Sequence, residues 1–184
     1  MKRRTCFGLA LAGTCMIGLF SWACGDPVHD ARVSALGGEK GGVPAGPEHR
    51  GGQPCLTCHG GDGPASAELS VAGTIFQTAA PDSPPLAGAT VSIFDATQDA
   101  DGGGAPRTTV TNAAGNFYFP RSSWSPAYPL HDISISFSGA TTTMHTNVGR
   151  EGSCATCHFD PKGNDSHGHV YLVLEPADLP GAMP

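Results

Sequence analysis

Hydrophobic and polar residues alternate with a period of two over much of the chain between residues 68 and 174. The clearest example is residues 133–138, in which three large apolar residues alternate with three serines. Alternation of this kind places the apolar side chains on one face of a strand and the polar ones on the other. The pattern therefore predicts half-buried β-strands.

About seven such runs follow one another, separated by turn residues. They cover residues 71–76, 90–95, 108–111, 117–119, 133–138, 140–147 and 169–174. The 184 residues include 26 glycines and 16 prolines, a composition that limits helices and favours turns. We therefore predict a mainly β protein, with one small sandwich over residues 67–175 and a C-terminal tail over residues 176–184.

Part of this pattern resembles a known family. The successive segments 71–75, 86–93 and 109–117 read VAGTI, LAGATVSI and TVTNAAGNF, and they are similar to the carboxypeptidase regulatory-like domains. The resemblance covers roughly residues 69–120. It implies a transthyretin-like or immunoglobulin-like sandwich that serves as a scaffold and supplies no catalytic residues.

The N-terminus has the layout of an export signal. Basic residues at positions 2–4 precede an apolar stretch over residues 7–20, which is typical of a secretory signal peptide. Cys24 follows a small residue and resembles the lipidated cysteine of bacterial lipoproteins, although Ser21 and Trp22 depart from the usual motif. We expect residues 1–23 to be removed and the protein to lie in the periplasm or at the outer membrane or cell surface, anchored by a lipid on Cys24. Plain cleavage after Ala23 is the alternative.

Residues 24–54 have no apolar periodicity and contain closely spaced glycines and prolines, so they are predicted to form a flexible tether. The formal net charge of the chain is −6, and removal of residues 1–23 takes away three basic residues and no acidic ones, which leaves −9. A chain this acidic is a poor electrostatic partner for nucleic acid or for an anionic membrane surface.

The cysteines carry the most specific signal. Of the seven, three lie within residues 1–24 and the other four form two C-x-x-C-H motifs, at residues 55–59 and 154–158. This motif is the attachment signature of c-type haem. Two thiols at this spacing bond the two vinyl groups of one porphyrin, and the following histidine binds its iron. We expect Cys55, Cys58, Cys154 and Cys157 to hold two covalent haems, with His59 and His158 as proximal ligands.

Three other interpretations of these motifs remain open. A C-x-x-C pair in an exported protein can close a disulfide or act as a thioredoxin-like redox site, although neither copy lies in a βαβ pattern. Alternatively, the cysteines and histidines can bind zinc. Chance occurrence is disfavoured because both copies are complete.

The sixth ligand of each iron is predicted less directly. His145 precedes the second motif and both His167 and His169 follow it, so these three residues are the candidate distal ligands. A solvated loop histidine is the competing interpretation for each of them. His29 and His49 fall within or at the edge of the predicted tether.

Residues 55–66 thus form a first haem-binding segment, and residues 148–168 form a second haem-binding loop within the sandwich, longer than a hairpin requires. Whether the two lie at the same end of the sandwich is left open by the sequence. We expect an exported dihaem c-type cytochrome that transfers single electrons between redox proteins or to an extracellular acceptor. The alternatives are a haem-based sensor or redox enzyme with an open axial site, and a non-haem binding module.

Overall fold

The computed structural model describes residues 26–39, 41–98 and 104–172, so the predicted signal peptide, Cys24 and the C-terminal tail lie outside the described residues. The chain divides into two compact units, residues 1–35 and 36–184. None of the helices in the part of the chain that the structure describes is long and apolar enough to cross a membrane.

The described part of the first unit is mainly the helix α1 (Pro27–Ala35). Asp26 caps it, because its Oδ1 atom accepts the backbone N–H groups of Val28 and His29 at 3.0 and 3.1 Å. The sequence predicted a flexible tether here and no helix. No residue of α1 is buried, so its sequence has no apolar face that would have indicated a helix. Its signals were the capping residue and the proline in its first turn.

The described residues of the second unit form seven strands in two sheets, as the sequence predicted. One sheet has the order β4–β1–β7 and the other the order β3–β2–β5–β6. The strands are β1 (Leu69–Phe76), β2 (Thr90–Phe94), β3 (Arg107–Val110), β4 (Asn116–Pro120), β5 (His131–Phe137), β6 (Ala140–Met144) and β7 (Val170–Tyr171). All pairs are antiparallel except β1 and β7, which are parallel. The mainly β, sandwich-like fold is therefore confirmed.

The hydrophobic core lies between the sheets. Both contribute large buried side chains, and the alternation predicted for β2 is correct because Val91 and Ile93 are fully buried. The core residues are Val71, Ile75, Leu86, Ala89, Val91, Ile93, Phe117, Phe119, Trp124, Leu130, Ile135 and Leu172. Burial of this apolar surface is the main favourable contribution to folding.

β1 is the central strand of its sheet and positions both cysteine motifs. Seven of its eight residues are buried. β7 pairs only with the end of β1, at Ile75 and Phe76. Further along the same edge, the backbone N–H of Ala72 donates to the carbonyl oxygen of Gly152 at 2.9 Å, so the chain just before the second motif extends the sheet.

Candidate haem-binding sites

The first motif forms one helical turn ahead of β1. It comprises α2 (Leu56–His59), with the backbone N–H of His59 bonded to the carbonyl oxygen of Cys55 at 3.0 Å. Residues three apart on such a turn lie side by side, so the thiols of Cys55 and Cys58 share one side of it.

The His59 ring is oriented by a backbone group. Its Nδ1 atom lies 2.7 Å from the carbonyl oxygen of Ala67. Since a carbonyl oxygen can only accept, Nδ1 carries the ring proton and the lone pair of Nε2 is left for a metal. Metal-binding histidines are commonly fixed by a second hydrogen bond of this kind.

The second motif repeats this arrangement. It includes a 3-10 turn (Cys154–Thr156), and the backbone N–H of His158 bonds to the carbonyl oxygen of Cys154 at 2.9 Å. Nδ1 of His158 donates to the carbonyl oxygen of Gly168 at 3.1 Å. Burial lowers the pKa of His158, and the neighbouring His167 lowers it further. The hydrogen bond to Gly168, which by itself raises this pKa, places the proton of the neutral ring on Nδ1 and leaves the Nε2 lone pair free.

Gly73, in the middle of β1, makes room for the second motif. A Cβ atom built at this position would lie 2.9 Å from Cβ of Cys154 and 2.8 Å from Cε1 of Phe117. Both distances are shorter than real Cβ contacts, so any side chain at residue 73 would push the motif or the core outwards. The motif therefore packs on the sheet at Gly73, the one position in the described strands that has no side chain.

The first thiol of each motif is half-buried, and the Cys55 thiol raises the pKa of Cys154. Burial raises the pKa of Cys55 to about 11. Burial also raises the pKa of Cys154 to about 12, and the nearby Cys55 adds to this increase. Both motifs also contact β1, the first through the cavity wall at Leu69 and Ala72 and the second through Ala72 and Gly73. Nucleophilic thiols of redox C-x-x-C sites have lowered pKa values, so this environment does not favour the thioredoxin-like alternative.

A cavity of about 310 Å³ adjoins the first motif. This is within the size of ligand pockets, roughly 300 to 1,000 Å³. Its walls combine the motif side chains with apolar ones from β1, β4 and the preceding segment; they include Leu36, Pro47, His49, Pro54, Cys55, Cys58, His59, Leu69, Ala72 and Phe117. Two thiols, an oriented imidazole and an apolar wall are the groups that a covalently bound porphyrin needs, so the residues present fit a haem.

His49 lines this cavity, although the sequence placed it at the edge of a flexible tether. Its ring centroid is 5.8 Å from that of His59, with 19° between the ring planes. The sheet holds the backbone of this segment, because Nδ2 of Asn116 donates to the carbonyl oxygen of His49 at 3.0 Å. Nδ2 of Asn112 likewise donates to the carbonyl oxygen of Pro47 at 2.6 Å. The sequence contained no periodicity that could have indicated this docking.

The tether prediction therefore fails for the residues next to the first motif. The backbone N–H of Gly52 donates to Oγ1 of Thr74 on β1 at 2.8 Å. The Arg50 side chain holds the preceding residues by donating to the carbonyl oxygen of Gly37 at 2.8 Å and to Glu39 at 3.0 Å. Polar contacts, rather than an apolar stripe, fix this segment to the sandwich.

Of the three candidate distal ligands, the structure brings His167 to a motif. Its ring centroid lies 5.5 Å from that of His158. However, its backbone N–H donates to the carbonyl oxygen of Cys157 at 3.0 Å. The backbone of His167 therefore runs beside the motif, and its ring lies next to that of His158.

The other two candidates lie apart from the motif rings. His169 is buried, and both its ring nitrogens are engaged, Nδ1 with Oδ2 of Asp160 at 2.6 Å and Nε2 with the carbonyl oxygen of Thr78 at 2.8 Å. It ties the second haem-binding loop to the end of β1. His145 is exposed and follows β6, the edge strand of the other sheet.

Two serines that the sequence analysis did not assign to the site shape the second loop. Oγ of Ser166 accepts the backbone N–H groups of Phe159 at 2.9 Å and Gly168 at 3.0 Å, which sets the loop conformation behind His158. Ser153 precedes Cys154 and is buried, and its Oγ has no hydrogen-bond partner among the described residues. A bound group with an oxygen acceptor would provide one.

The geometry gives the zinc alternative no support. Within residues 26–39, 41–98 and 104–172, no group of three or more His, Cys, Asp or Glu side chains is placed to hold a metal ion. The four motif cysteines are free thiols. A structural zinc site needs four such ligands converging on one point.

No family model matches this chain, and no curated protein or solved structure shows significant similarity to it. The resemblance of residues 69–120 to the carboxypeptidase regulatory-like domains accordingly stays a prediction.

Proposed function

We propose that this chain is an exported dihaem c-type cytochrome that transfers single electrons between redox partners. The observation that carries the proposal is the repeated local geometry of the two motifs. In each, a backbone carbonyl oxygen accepts the Nδ1 proton of the motif histidine, at 2.7 Å for His59 and 3.1 Å for His158. Each histidine thereby keeps an Nε2 lone pair beside two cysteines, as a proximal haem ligand requires.

The chain supplies attachment and orientation. Cys55 and Cys58, and likewise Cys154 and Cys157, form the thioethers by adding their S–H groups to the two vinyl groups of a porphyrin. His59 and His158 bind iron, and the carbonyl groups of Ala67 and Gly168 fix the orientation of the two rings. When bound, haem iron accepts one electron from a donor and passes one to an acceptor as it cycles between its ferric and ferrous forms.

Location and partners follow from the sequence. Removal of residues 1–23 and lipidation of Cys24 would place the protein in the periplasm or at the outer membrane or cell surface. The partners are then redox proteins or an extracellular electron acceptor. Membrane attachment is through the N-terminal lipid rather than through a charged surface.

An open axial site at the second haem is the second candidate function. The observation that favours it is that both ring nitrogens of the candidate ligand His169 are already engaged, with Asp160 at 2.6 Å and with Thr78 at 2.8 Å. A haem with an open position binds small ligands and can serve as a sensor or a redox enzyme. Rapid binding of carbon monoxide by the reduced second haem would support this function over pure electron transfer.

Intact mass and absorbance of the protein matured with c-type haem machinery test the proposal. We expect a mass increment of two haems, a pigment that acid acetone does not extract, and a reduced-minus-oxidised spectrum of a c-type cytochrome. The double substitutions Cys55→Ala/Cys58→Ala and Cys154→Ala/Cys157→Ala are each expected to leave one covalent haem. A colourless protein, or one that releases its pigment, would refute the proposal.

A further inference from the structure

We infer that His49 is the sixth ligand of the iron held by Cys55, Cys58 and His59. The inference rests on the proposed function and assigns a role to a residue that the sequence placed at the edge of a tether. It makes the first haem a six-coordinate, bis-histidine centre.

The first argument is the distance between the two rings. Two histidines that bind one metal ion through ring nitrogens have centroids about 6 Å apart, because each metal–nitrogen bond is about 2 Å long and each nitrogen lies about 1 Å from its centroid. His49 and His59 have centroids 5.8 Å apart. Both side chains line the same cavity, together with Cys55 and Cys58.

The second argument is that the sheet holds His49 in place through its backbone. Nδ2 of Asn116 donates to its carbonyl oxygen at 3.0 Å, and Oδ1 of the same Asn116 accepts from Oγ1 of Thr74 at 2.7 Å. Asn116 is itself buried in the sheet. The position of His49 is therefore set by β1 and β4, the strands that border the haem cavity.

The backbone next to His49 is also constrained. Arg50 has a φ angle of 53°, a left-handed conformation that is uncommon for a residue other than glycine. Hydrogen bonds from its side chain to Gly37 and Glu39 hold it there. Strained conformations of this kind persist where the surrounding structure requires them, and they cluster at functional sites.

Ligation has one identifiable cost. The backbone N–H of Gly46 donates to Nδ1 of His49 at 3.2 Å, which places the proton of the neutral ring on Nε2. Binding of iron through Nε2 moves this proton to Nδ1 and breaks the bond to Gly46. A single long, neutral hydrogen bond is weak compared with a metal–imidazole bond, so ligation prevails.

The test uses the full-length, matured protein with Cys154→Ala/Cys157→Ala, so that only the first haem is present. We expect a low-spin ferric spectrum and little carbon monoxide binding after reduction. Addition of His49→Ala should convert the haem to a high-spin form that binds carbon monoxide, and free imidazole should restore the low-spin spectrum. His145→Ala, which removes an exposed histidine, should leave the spectrum low-spin.

The outcomes separate this inference from the proposed function. A haem that stays low-spin in the His49→Ala variant, or one that is already high-spin before the substitution, would overturn the assignment of His49 while leaving the cytochrome intact. Loss of the low-spin form in His145→Ala would assign the ligand to His145 instead. Absence of covalent haem in every variant would refute the proposed function itself. If the His49→Ala variant does not accumulate, the His49→Met variant tests the assignment instead. A thioether ligand keeps the iron low-spin, so the spectrum should stay low-spin but change in shape.

Discussion

Gly73 lies on β1 beside Cys154, and the absence of a side chain there brings the second motif onto the sheet. The backbone conformation at this residue is ordinary extended strand, so the glycine is needed for space rather than for flexibility. A Cβ atom would approach both Cys154 and the Phe117 ring, which belongs to the core. Neither neighbour can move freely, because both are packed against the same strand.

We predict that Gly73→Ala destabilises the fold by about 1 to 3 kcal/mol, the usual cost of overpacking a core. It should also lower the fraction of protein that carries the second haem. Urea unfolding and intact mass measure the two effects. Gly149→Ala is the matched control, because a Cβ atom at residue 149 meets nothing within 4 Å. Equal stability and equal haem content in the two variants would show that residue 73 does not set the position of the motif.

At the scale of residues, the sequence predicted the motif side chains but not the ring environments. The four cysteines and their two histidines follow from local spacing alone. His169 was a candidate ligand because it follows the second motif, yet its partner Thr78 is 91 residues away in the chain. A contact between such distant residues has no signature in local sequence, so only the fold reveals it.

At the scale of elements, the segment between residues 46 and 54 differs most from its sequence prediction. Its glycines and prolines were typical of a linker, but it borders the cavity beside the first motif and is fixed by side chains from the sheet. Asn116 connects this segment to Thr74 on β1. One buried amide thus couples the sheet to the residues that hold His49.

We predict that Asn116→Ala loosens this segment without unfolding the sandwich. Loss of the bonds to His49 and Thr74 should cost about 1 to 2 kcal/mol. It should increase hydrogen exchange over residues 46–53 more than in the strands. Asn147→Ala is the control because Asn147 is exposed. Unchanged exchange in this segment after Asn116→Ala would mean that other contacts hold it.

The elements themselves were predictable to different degrees. Strands such as β2 and β5 follow from period-two alternation, because one face of each packs on the core. β7 is shorter than its predicted run among the described residues, since its pairing with β1 covers only Val170 and Tyr171. The α1 helix was missed because burial contributes nothing to its pattern. Hydrophobic periodicity arises where one face of an element is buried, so it does not predict elements that have no buried face.

At the scale of the whole molecule, one strand joins the two motifs. The first motif leads into β1, and the residues before the second pair with the same strand at Ala72. The sequence left open how the two motifs are placed relative to each other. Their placement depends on the contacts that each makes with β1, and these contacts join residues that are distant in the chain. Burial raises the pKa of Cys154, and the nearby Cys55 adds to this increase.

In the proposed dihaem protein, both haems would be carried by segments that contact β1, so they should influence each other's reduction. We predict that the first electron makes the second harder to add, because like charges repel; at a separation of about 15 Å and an effective dielectric constant of about 20, the repulsion is about 1 kcal/mol. A redox titration of the intact protein should therefore be broader than the sum of the curves from the two single-haem variants. Each variant should follow a simple one-electron curve. Superposition of the intact curve on the sum would place the haems too far apart to interact.

The unequal exposure of Cys154 and Cys157 also has a consequence for biogenesis. The side chain of Cys154 is half-buried and packs against the core cluster, next to Ser153, which pairs with Ala72 of β1, whereas Cys157 is exposed. The two thiols of this motif thus differ in how much of each a porphyrin can reach in the folded chain. In the proposed cytochrome, we expect the Cys157 thiol to be accessible for attachment after folding, whereas the Cys154 thiol requires the motif to move away from the core.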